Sequence, residues 1–501
     1  MMSGVPAAES GNRMQEMATP LLLRVDAAVG DGIEAAVRIK HRRRLTKLGW
    51  GRAFEPSGPG VFAEGDPPPR PGCALDVLID GADAFPQVAA ALAEAKHFVH
   101  VTGWHLEPSF EIDRSRAGTA IGTVLADLAE RIDVRVLVWA GSPLPVFHPT
   151  RAEVADGIAN LTRHTRIQAH GDPREHPIHC HHEKTIVVDG RVAFVGGIDL
   201  TDSAGDRYDG PAHTARRRIG WHDVSTRLSG PAVADVNDHF RMRWRELTGE
   251  DIPAPPPPPP AGETTVQVVR TVEEHMYDSM HHGDFRILES YIRALRSARE
   301  LIYIENQFLW APELVSIIAD KLRNPPTPQF RVVILLPSKA NNGQEDTRGQ
   351  VGVLIDAAGG SDRVLVTTIR ALTPSADRAD PIYVHAKVLV VDDRWLIIGS
   401  ANINERSLFN DTEMCVVTDD AQLARETRIR LWAEHLEMPE DGVRDATAVS
   451  LFDERWRPIA HGELERRERG EPPTHRLLEL PGVSRRSSRL LGPITGLFDD
   501  G

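Results

Sequence analysis

The chain repeats one sequence pattern at a fixed offset, and this internal repeat constrains the fold more than any other feature. The pattern is a histidine, a lysine two residues later, an apolar run and an aspartate, and it occurs at His182, Lys184 and Asp189 and again at His385, Lys387 and Asp392. The two histidines are 203 residues apart, and the segments AKHFVHVTGW (95–104) and ARELIYIENQ (298–307) keep the same offset. A single copy of the pattern is compatible with an ordinary buried strand that begins with polar side chains. Its recurrence indicates two copies of one structural unit.

Helical and strand patterns alternate in the same order in both halves. Apolar residues recur every three or four positions in 85–95 and in 287–298, which predicts a helix before each of the similar segments 95–104 and 298–307. The segments 240–244 and 429–436 predict an amphipathic helix at the end of each half. Helices that alternate with buried strands indicate the α/β class. We therefore predict two similar α/β modules related by a pseudo-twofold axis, with the active site at their interface.

A proline-rich stretch marks the boundary between the two halves. The segment PAPPPPPP (253–260) can continue neither a helix nor an interior strand, so it is typical of a stiff spacer. The predicted organisation is an N-terminal extension (1–73), a first module (74–250), a linker (251–263), a second module (264–440) and a C-terminal tail (441–501).

The net charge and the cysteine content argue against nucleic-acid-binding and disulfide-rich classes of protein. The formal net charge of −14 argues against a surface that neutralises a nucleic-acid backbone, so no nucleic-acid partner is expected. Cys73, Cys180 and Cys415 are too scattered for a disulfide framework or a paired-cysteine zinc site, which favours a reducing compartment. No signal-peptide core and no apolar stretch of membrane-spanning length is found. We expect a cytoplasmic protein without a transmembrane segment, with peripheral contact to membranes.

The repeated residues suit phosphodiester chemistry. Side chains alternate along a strand, so His182 and Lys184 point to one side and Asp189 to the other. Small residues follow each copy, and Asp199 and Asn402 each lie 17 residues after the histidine of their copy, where they can approach a bound anion. The lysines can neutralise phosphate oxygens, while one imidazole attacks phosphorus and the other protonates the leaving alcohol.

The repeated signature H-x-K-x4-D resembles that of the phospholipase D superfamily. The resemblance extends to five further segments, which are similar to the phosphatidylcholine-type phospholipase D branch: VTGWHLEP (101–108), GGIDL (196–200), GWHDVSTRLSGPAV (220–233), YIENQFL (303–309) and GSANINERS (399–407). Together they cover roughly residues 74–440. The resemblance implies hydrolysis of glycerophospholipids to phosphatidic acid through a phosphohistidine, with transfer to other alcohols as a side reaction.

The resemblance also implies roles for individual residues. The catalytic set comprises both copies of the motif, with His182 as nucleophile and His385 as general acid and base, although the pseudo-symmetry leaves the reverse order open. Glu413 and Asp223 match the acidic partners of the imidazoles. Asp199 and Asn402 would bind or orient the phosphate, and strand alternation predicts that Asp189 and Asp392 brace the strands. The resemblance implies no metal and no other cofactor, and we expect a monomer that acts on phospholipid at a membrane surface.

Several alternatives remain open on sequence alone. Neither a calcium-binding lipid module nor a phosphoinositide-binding module is recognisable, and the run HPIHCHH (176–182) lacks a convincing set of zinc ligands. A cardiolipin-synthase-like phosphatidyltransferase would use the same residues, but the N-terminal membrane helices usual in that group are not seen. A nuclease is disfavoured by the acidic charge and the long halves. A non-catalytic lipid-binding protein is disfavoured because both histidine–lysine pairs are intact.

Overall fold

The computed structural model describes residues 20–480 except 145–147, 177–178, 339–343, 374 and 376. Residues 1–19 of the predicted extension and 481–501 of the predicted tail therefore lie outside the described residues. Regular elements follow in an order that is largely repeated between the two halves.

The first half contains the following elements in chain order: α1 (Pro20–Lys47), β1 (Arg70–Ile79), α2 (Asp80–Ala93), β2 (Phe98–Gly103), α3 (Ile121–Ala129), β3 (Asp133–Trp139), α4 (Arg151–Thr162), β4 (Gln168–Asp172), β5 (Thr185–Val188), β6 (Val192–Gly196), β7 (Gly220–His222), β8 (Val224–Ser229) and α5 (Val233–Thr248).

The second half continues with β9 (Thr264–Val272), β10 (Asp284–Phe285), α6 (Arg286–Ser297), β11 (Leu301–Glu305), α7 (Pro312–Arg323), β12 (Arg331–Leu335), α8 (Gln344–Ala358), β13 (Val364–Leu372), β14 (Ala379–Val384), β15 (Val388–Val391), β16 (Trp395–Gly399), α9 (Glu405–Phe409), β17 (Glu413–Thr418), α10 (Ala421–His435), α11 (Glu440–Arg444), α12 (Ala448–Leu451), α13 (Arg457–Glu468) and β18 (Leu477–Glu479). Single turns of 3₁₀ helix occur at Gly51–Ala53 and Asp278–Met280, and a π-helical turn at Phe452–Trp456.

The two halves build sheets with the same strand order. The first sheet runs β1–β8–β6–β5–β2–β3–β4, and the second runs β9–β17–β16–β15–β11–β12–β13–β18. The strand that follows the histidine–lysine pair, β5 in the first sheet and β15 in the second, pairs antiparallel with both neighbours. The three strands beyond it, β2–β3–β4 and β11–β12–β13, are mutually parallel. The prediction of two similar α/β modules is confirmed.

Hydrophobic burial explains how the modules pack. The repeated strands β5 and β15 are buried on both faces, as their uninterrupted apolar sequences require. A central hydrophobic cluster takes residues from both sheets, including Val195 and Ile398, and outer clusters pack the helices onto the opposite face of each sheet. The two sheets are also joined edge to edge, because β1 pairs with β9. Helices thus enclose two central sheets in a layered arrangement.

The predicted helices are present with slightly different limits. The helix predicted at 85–95 is α2 (Asp80–Ala93), and the helix predicted at 287–298 is α6 (Arg286–Ser297). The repeated strand begins at Thr185 and not at the preceding histidine, because the backbone of 181–183 bonds to the other module. This connection carries the active site and is described below.

The segments outside the repeat pack on the second module. Arg44 of α1 forms ion pairs with Glu273 and Glu274, and Leu45 lies in the outer hydrophobic cluster of that module. Within the predicted tail, β18 adds a strand next to β13. Among the helices that the structure describes, none combines the length and the hydropathy needed to cross a bilayer.

Candidate active site

The two repeated histidines meet at the interface between the modules. The ring centroids of His182 and His385 are 6.5 Å apart, and the ring planes are inclined by 68°. The two residues are only 2% and 4% exposed. A separation of this size leaves room for one phosphoryl group between the rings.

Each module fixes the backbone of the other module's histidine. The N–H of His182 donates to the carbonyl of Thr412 at 2.8 Å, and the N–H of His385 donates to the carbonyl of His222 at 2.7 Å. The residues that follow Thr412 and His222 in the chain are Glu413 and Asp223. The crossed backbone contacts therefore carry a carboxylate of each module to the histidine of the other.

The two predicted acidic residues contact the two imidazoles in this crossed manner. Nδ1 of His182 lies 3.0 and 3.1 Å from the two carboxylate oxygens of Glu413, and Nδ1 of His385 lies 2.6 Å from Oδ2 of Asp223. A carboxylate accepts hydrogen bonds, so each Nδ1 carries the hydrogen. Each Nε2 is then left to face the cleft, and this places the reactive atom of both rings on the same side.

Small residues behind the carboxylates differ between the modules. Gly197 approaches Asp223 so closely that a Cβ at position 197 would lie 2.2 Å from Oδ1, so only glycine fits there. The equivalent residue, Ser400, donates its hydroxyl to Glu413, which also accepts the hydroxyl of Ser407 at 2.6 Å. The Ser407 contact was not predicted from the sequence, because Ser407 has no repeated counterpart in the motif.

The two lysines are buried beside the histidines. Nζ of Lys184 donates to the carbonyl of His182 at 2.7 Å and lies 3.5 Å from Oδ2 of Asp199. Nζ of Lys387 donates to the carbonyl of His385 and to Oε1 of Gln307, the latter at 3.4 Å. Asn402 is fully buried at the position equivalent to Asp199. The structure thus brings the predicted lysines and histidines together and puts Asp199 against the first lysine.

A cleft of about 570 Å³ opens onto this group. Its lining includes His182, Lys184, His385 and Arg207, and the ring of Trp221. The loop after β2, the helix α4 and the loop after β6 also contribute to the lining. Such a cleft is large enough for a phosphate and part of its substituents.

Arg207 is a candidate functional residue that sequence reasoning missed. It is 5% exposed, its guanidinium lies 3.9 Å from the ring centroid of Trp221, and its Nη1 donates to the carbonyls of Thr201 and Ser203. Its buried Nε has no hydrogen-bond partner within the described part of the chain. A buried guanidinium with a spare donor at an anion site suits a phosphate oxygen. It lies outside both repeated motifs, so the sequence carried no signal for it.

Burial and positive charge set the protonation of the second histidine. Burial, together with the charges of Lys387 and Arg207, lowers the pKa of His385 well below its usual range. Burial also raises the pKa of Asp223, although the charge of Lys387 acts in the opposite direction. The free site therefore favours a neutral His385 that donates its Nδ1–H to Asp223. An anion bound in the cleft would offset the cationic charges and favour proton uptake.

The two motif aspartates lie at the other end of their strands. Asp189 accepts the backbone N–H groups of residues 96, 97 and 98 at 2.9, 2.7 and 2.9 Å. Asp392 accepts those of residues 299, 300 and 301, each at 2.8 Å. Neither aspartate lines the cleft. Their contacts connect the end of each repeated strand to the start of β2 or β11.

We predict that Asp189→Asn and Asp392→Asn reduce stability and leave turnover per folded molecule nearly unchanged. Both aspartates have a positive φ, of 55° and 54°, which asparagine tolerates, so the change tests the carboxylate itself. Replacing one accepting oxygen by an NH₂ group opposite a backbone N–H costs about 2 kcal/mol. Thermal unfolding with activity measured well below the midpoint checks this. A large loss of kcat with an unchanged midpoint would contradict the bracing role.

The histidine-rich run has its own contacts outside the cleft. Nδ1 of His176 and Nδ1 of His179 each lie 2.7 Å from Oε2 of Glu273, which also pairs with Arg44. Residues 177 and 178 lie outside the described residues. The group lies outside the residues that line the cleft.

Comparison with known proteins agrees with this geometry. A domain model described as "Phospholipase D" matches residues 91–219, and one described as "Cardiolipin synthase, PLD-like domain" matches residues 291–433. Each match contains one copy of the repeated motif. The two matches therefore correspond to the two modules of the structure.

Individual relatives are similar over most of the chain. Phospholipase D A of Dictyostelium discoideum is 25% identical over 74% of this chain, and phospholipase D alpha 4 of Arabidopsis thaliana is 24% identical over 72% of it. The matches span 36% and 64% of those two proteins, respectively. A phosphatidylserine synthase from Haemophilus influenzae has a similar fold, with a TM-score of 0.50 and 15% identity over 71% of this chain and 84% of that one.

Proposed function

This chain belongs to the phospholipase D superfamily, and from that premise we propose that it is a phosphodiesterase that hydrolyses glycerophospholipids to phosphatidic acid and a headgroup alcohol. The observation that supports this most is the crossed pairing of His182 with Glu413 and of His385 with Asp223 around a cleft lined by Lys184 and Arg207. Two imidazoles with fixed tautomers beside buried cations are what a two-step displacement at phosphorus requires.

In the proposed first step, Nε2 of His182 attacks phosphorus while the bond to the headgroup oxygen breaks. A nitrogen–phosphorus bond forms, and the departing oxygen takes the Nε2 proton of His385. Glu413 accepts the Nδ1–H of His182 and so stabilises the positive charge that develops on this ring. Lys184, Lys387 and Arg207 balance the negative charge on the phosphate oxygens.

In the proposed second step, water replaces the histidine. Nε2 of His385, now neutral, takes a proton from water as its oxygen attacks phosphorus and the bond to His182 breaks. Phosphatidic acid leaves, and both rings return to their initial state. Because an alcohol can enter in the same way as water, the intermediate should also give transphosphatidylation.

The covalent step predicts a constant partition between two products. We expect the enzyme, incubated with phospholipid and a few per cent ethanol, to form phosphatidylethanol and phosphatidic acid in the same ratio whichever headgroup leaves. The reason is that every substrate gives the same phosphatidyl-histidine, and the headgroup has departed before water or ethanol reacts. Lipid mass spectrometry on phosphatidylcholine, phosphatidylethanolamine and phosphatidylglycerol with matched acyl chains measures the ratio.

A constant ratio supports the common intermediate, and two other outcomes count against the proposal. A ratio that changes with the leaving headgroup contradicts a common intermediate. No lipid turnover by folded protein contradicts the proposed substrate class. The control is His385→Ala, which should form both products at least about 100-fold more slowly, because all of these substrates have a poorly leaving alcohol.

A phosphatidyltransferase is the second candidate, and the match of residues 291–433 to a cardiolipin-synthase domain model favours it. It would use the same residues but resolve the intermediate with a lipid alcohol. Adding phosphatidylglycerol as acceptor distinguishes the two candidates, because a transferase forms cardiolipin in excess of phosphatidic acid.

We further propose that the protein acts as a monomer at the surface of a membrane in the cytoplasm, without a nucleic-acid partner. The three cysteines are buried free thiols, which is compatible with a reducing compartment. Both histidines and both carboxylates come from one chain, so no second copy is needed to complete the site.

A further inference from the structure

A second group of ionisable side chains is buried between the modules, behind the pair formed by Asp223 and His385. The group takes three residues from each module: Asp80, His213 and His222 from the first, and Glu305, Glu434 and His435 from the second. Their side chains are at most 4% exposed. Buried ionisable groups at this density are costly unless their charges are matched.

Four of these side chains converge on one point. Nδ1 of His222 lies 3.0 Å from Oδ1 of Asp80 and 3.2 Å from Oε1 of Glu434, while Nε2 of His213 lies 2.9 Å from Oε1 of Glu434 and 3.8 Å from Oδ2 of Asp80. Ligand atoms bound to tetrahedral zinc at its usual bond lengths are about 3.3 Å apart. The three separations that involve Oε1 of Glu434 or the unsatisfied Oδ2 of Asp80, of 2.9, 3.2 and 3.8 Å, bracket this value.

The outward-facing nitrogen of each histidine is held by a further carboxylate. Nε2 of His222 lies 2.9 Å from Oε2 of Glu305, and Nδ1 of His213 lies 3.1 Å from Oδ2 of Asp209. These carboxylates accept the ring N–H, which leaves the lone pairs of both rings directed toward Asp80 and Glu434. Metal-binding histidines in proteins are oriented in this manner by a carboxylate behind the ring.

One carboxylate oxygen of the group lacks a hydrogen-bond partner, a role that a bound cation would fill. Asp80 is fully buried, and its Oδ2 accepts no hydrogen bond from the described residues. Within the described part of the chain, no lysine or arginine forms an ion pair with Asp80, Glu305 or Glu434. A divalent ion would balance the charges of two carboxylates and give the unsatisfied Oδ2 a partner.

We propose that Asp80, His213, His222 and Glu434 bind a structural transition-metal ion, which their ligand chemistry identifies as zinc. Four protein ligands complete a tetrahedral shell and leave no position for water or substrate, which is typical of structural sites. Three ligands come from the first module and one from the second, so the ion joins the modules. Oδ1 of Asp80 also accepts the N–H of Asp223 at 3.0 Å, which connects the metal site to the carboxylate that orients His385.

The first test measures metal content and does not depend on the proposed function. The full chain is produced in zinc-supplemented medium, passed through a desalting column into metal-free buffer and analysed by mass spectrometry of the elements. We expect about one zinc per chain, retained because the site is closed to solvent. Folded wild-type protein with less than about a tenth of an equivalent would overturn the proposal.

The second test assigns the metal to these residues. The variant His213→Ala should lose the metal, whereas the control His179→Ala, in the separate histidine group near Glu273, should keep it. Metal that stays in the first variant and disappears from the second would overturn the assignment. Since His213→Ala can fail to fold, wild-type protein produced with cobalt provides a second measurement: tetrahedral cobalt with nitrogen and oxygen ligands gives intense visible bands, and an octahedral spectrum would contradict the proposed shell.

Discussion

Replacement of His182 by alanine is expected to lower turnover on the order of 10⁴-fold or more, and replacement of His385 by roughly 10²–10⁴-fold, with the fold retained. The larger loss follows from the loss of the proposed nucleophile itself, without which no phosphohistidine can form at position 182. The smaller loss follows from the loss of proton transfer alone. The exposed residue His97 lies in the same module as His182, and His97→Gln should keep full activity.

A substrate with a good leaving group tests the assignment of the two roles. Phosphatidyl-p-nitrophenol needs little protonation when its phenolate departs, so His385→Ala should still release about one equivalent of p-nitrophenol in a burst and then stall as the phosphatidyl-enzyme. His182→Ala should give no burst. The opposite pattern would mean that His385 is the nucleophile and that the order of the two histidines is reversed.

Removal of either buried lysine charge is expected to lower kcat/KM about 100-fold, the usual effect of losing one preorganised charge donor at a developing anion. We choose Lys184→Met and Lys387→Met because methionine keeps most of the apolar stem and avoids a large cavity. Both ammonium groups are held by the carbonyl of the adjacent histidine, so their position is fixed before substrate binds. Lys96 is exposed in the same module, and Lys96→Met serves as the control.

The measurement for the lysines is a full saturation curve with circular dichroism of each variant. Loss in kcat as well as in kcat/KM would indicate charge stabilisation in the transition state, whereas a rise in KM alone would indicate binding of the ground-state phosphate. Folded variants with less than a threefold effect would exclude the lysines from the charge balance at phosphorus.

The repeated parts of the candidate site could be predicted from local sequence. The histidine–lysine pairs were identified by their spacing, and strand alternation predicted that Asp189 and Asp392 face away from them; neither aspartate lines the cleft. The carboxylates Asp223 and Glu413 were found through family resemblance, but their exchange between modules depends on the contacts of Thr412 and His222, which no spacing rule encodes.

Other parts of the fold and of the site depend on contacts between residues far apart in the sequence, so they could not be predicted from it. Arg207 faces the cleft because its loop folds over Trp221, and its neighbourhood in the sequence has no repeated counterpart. The ligands of the proposed metal site are even more dispersed, from Asp80 to Glu434, so they lack the short spacing that identifies a zinc motif. The strand β18 joins the second sheet although its segment follows the repeat, because an edge beside β13 was available for pairing.

Because each histidine is paired with a carboxylate of the other module, neither half of the chain is expected to be active by itself. A separate first half would present His182 without Glu413, and a separate second half would present His385 without Asp223. By joining the two halves, the proline-rich connection would then set the local concentration of one half around the other. On the proposed function, a nascent or clipped chain with only one motif would leave membrane phospholipids intact until both halves have docked.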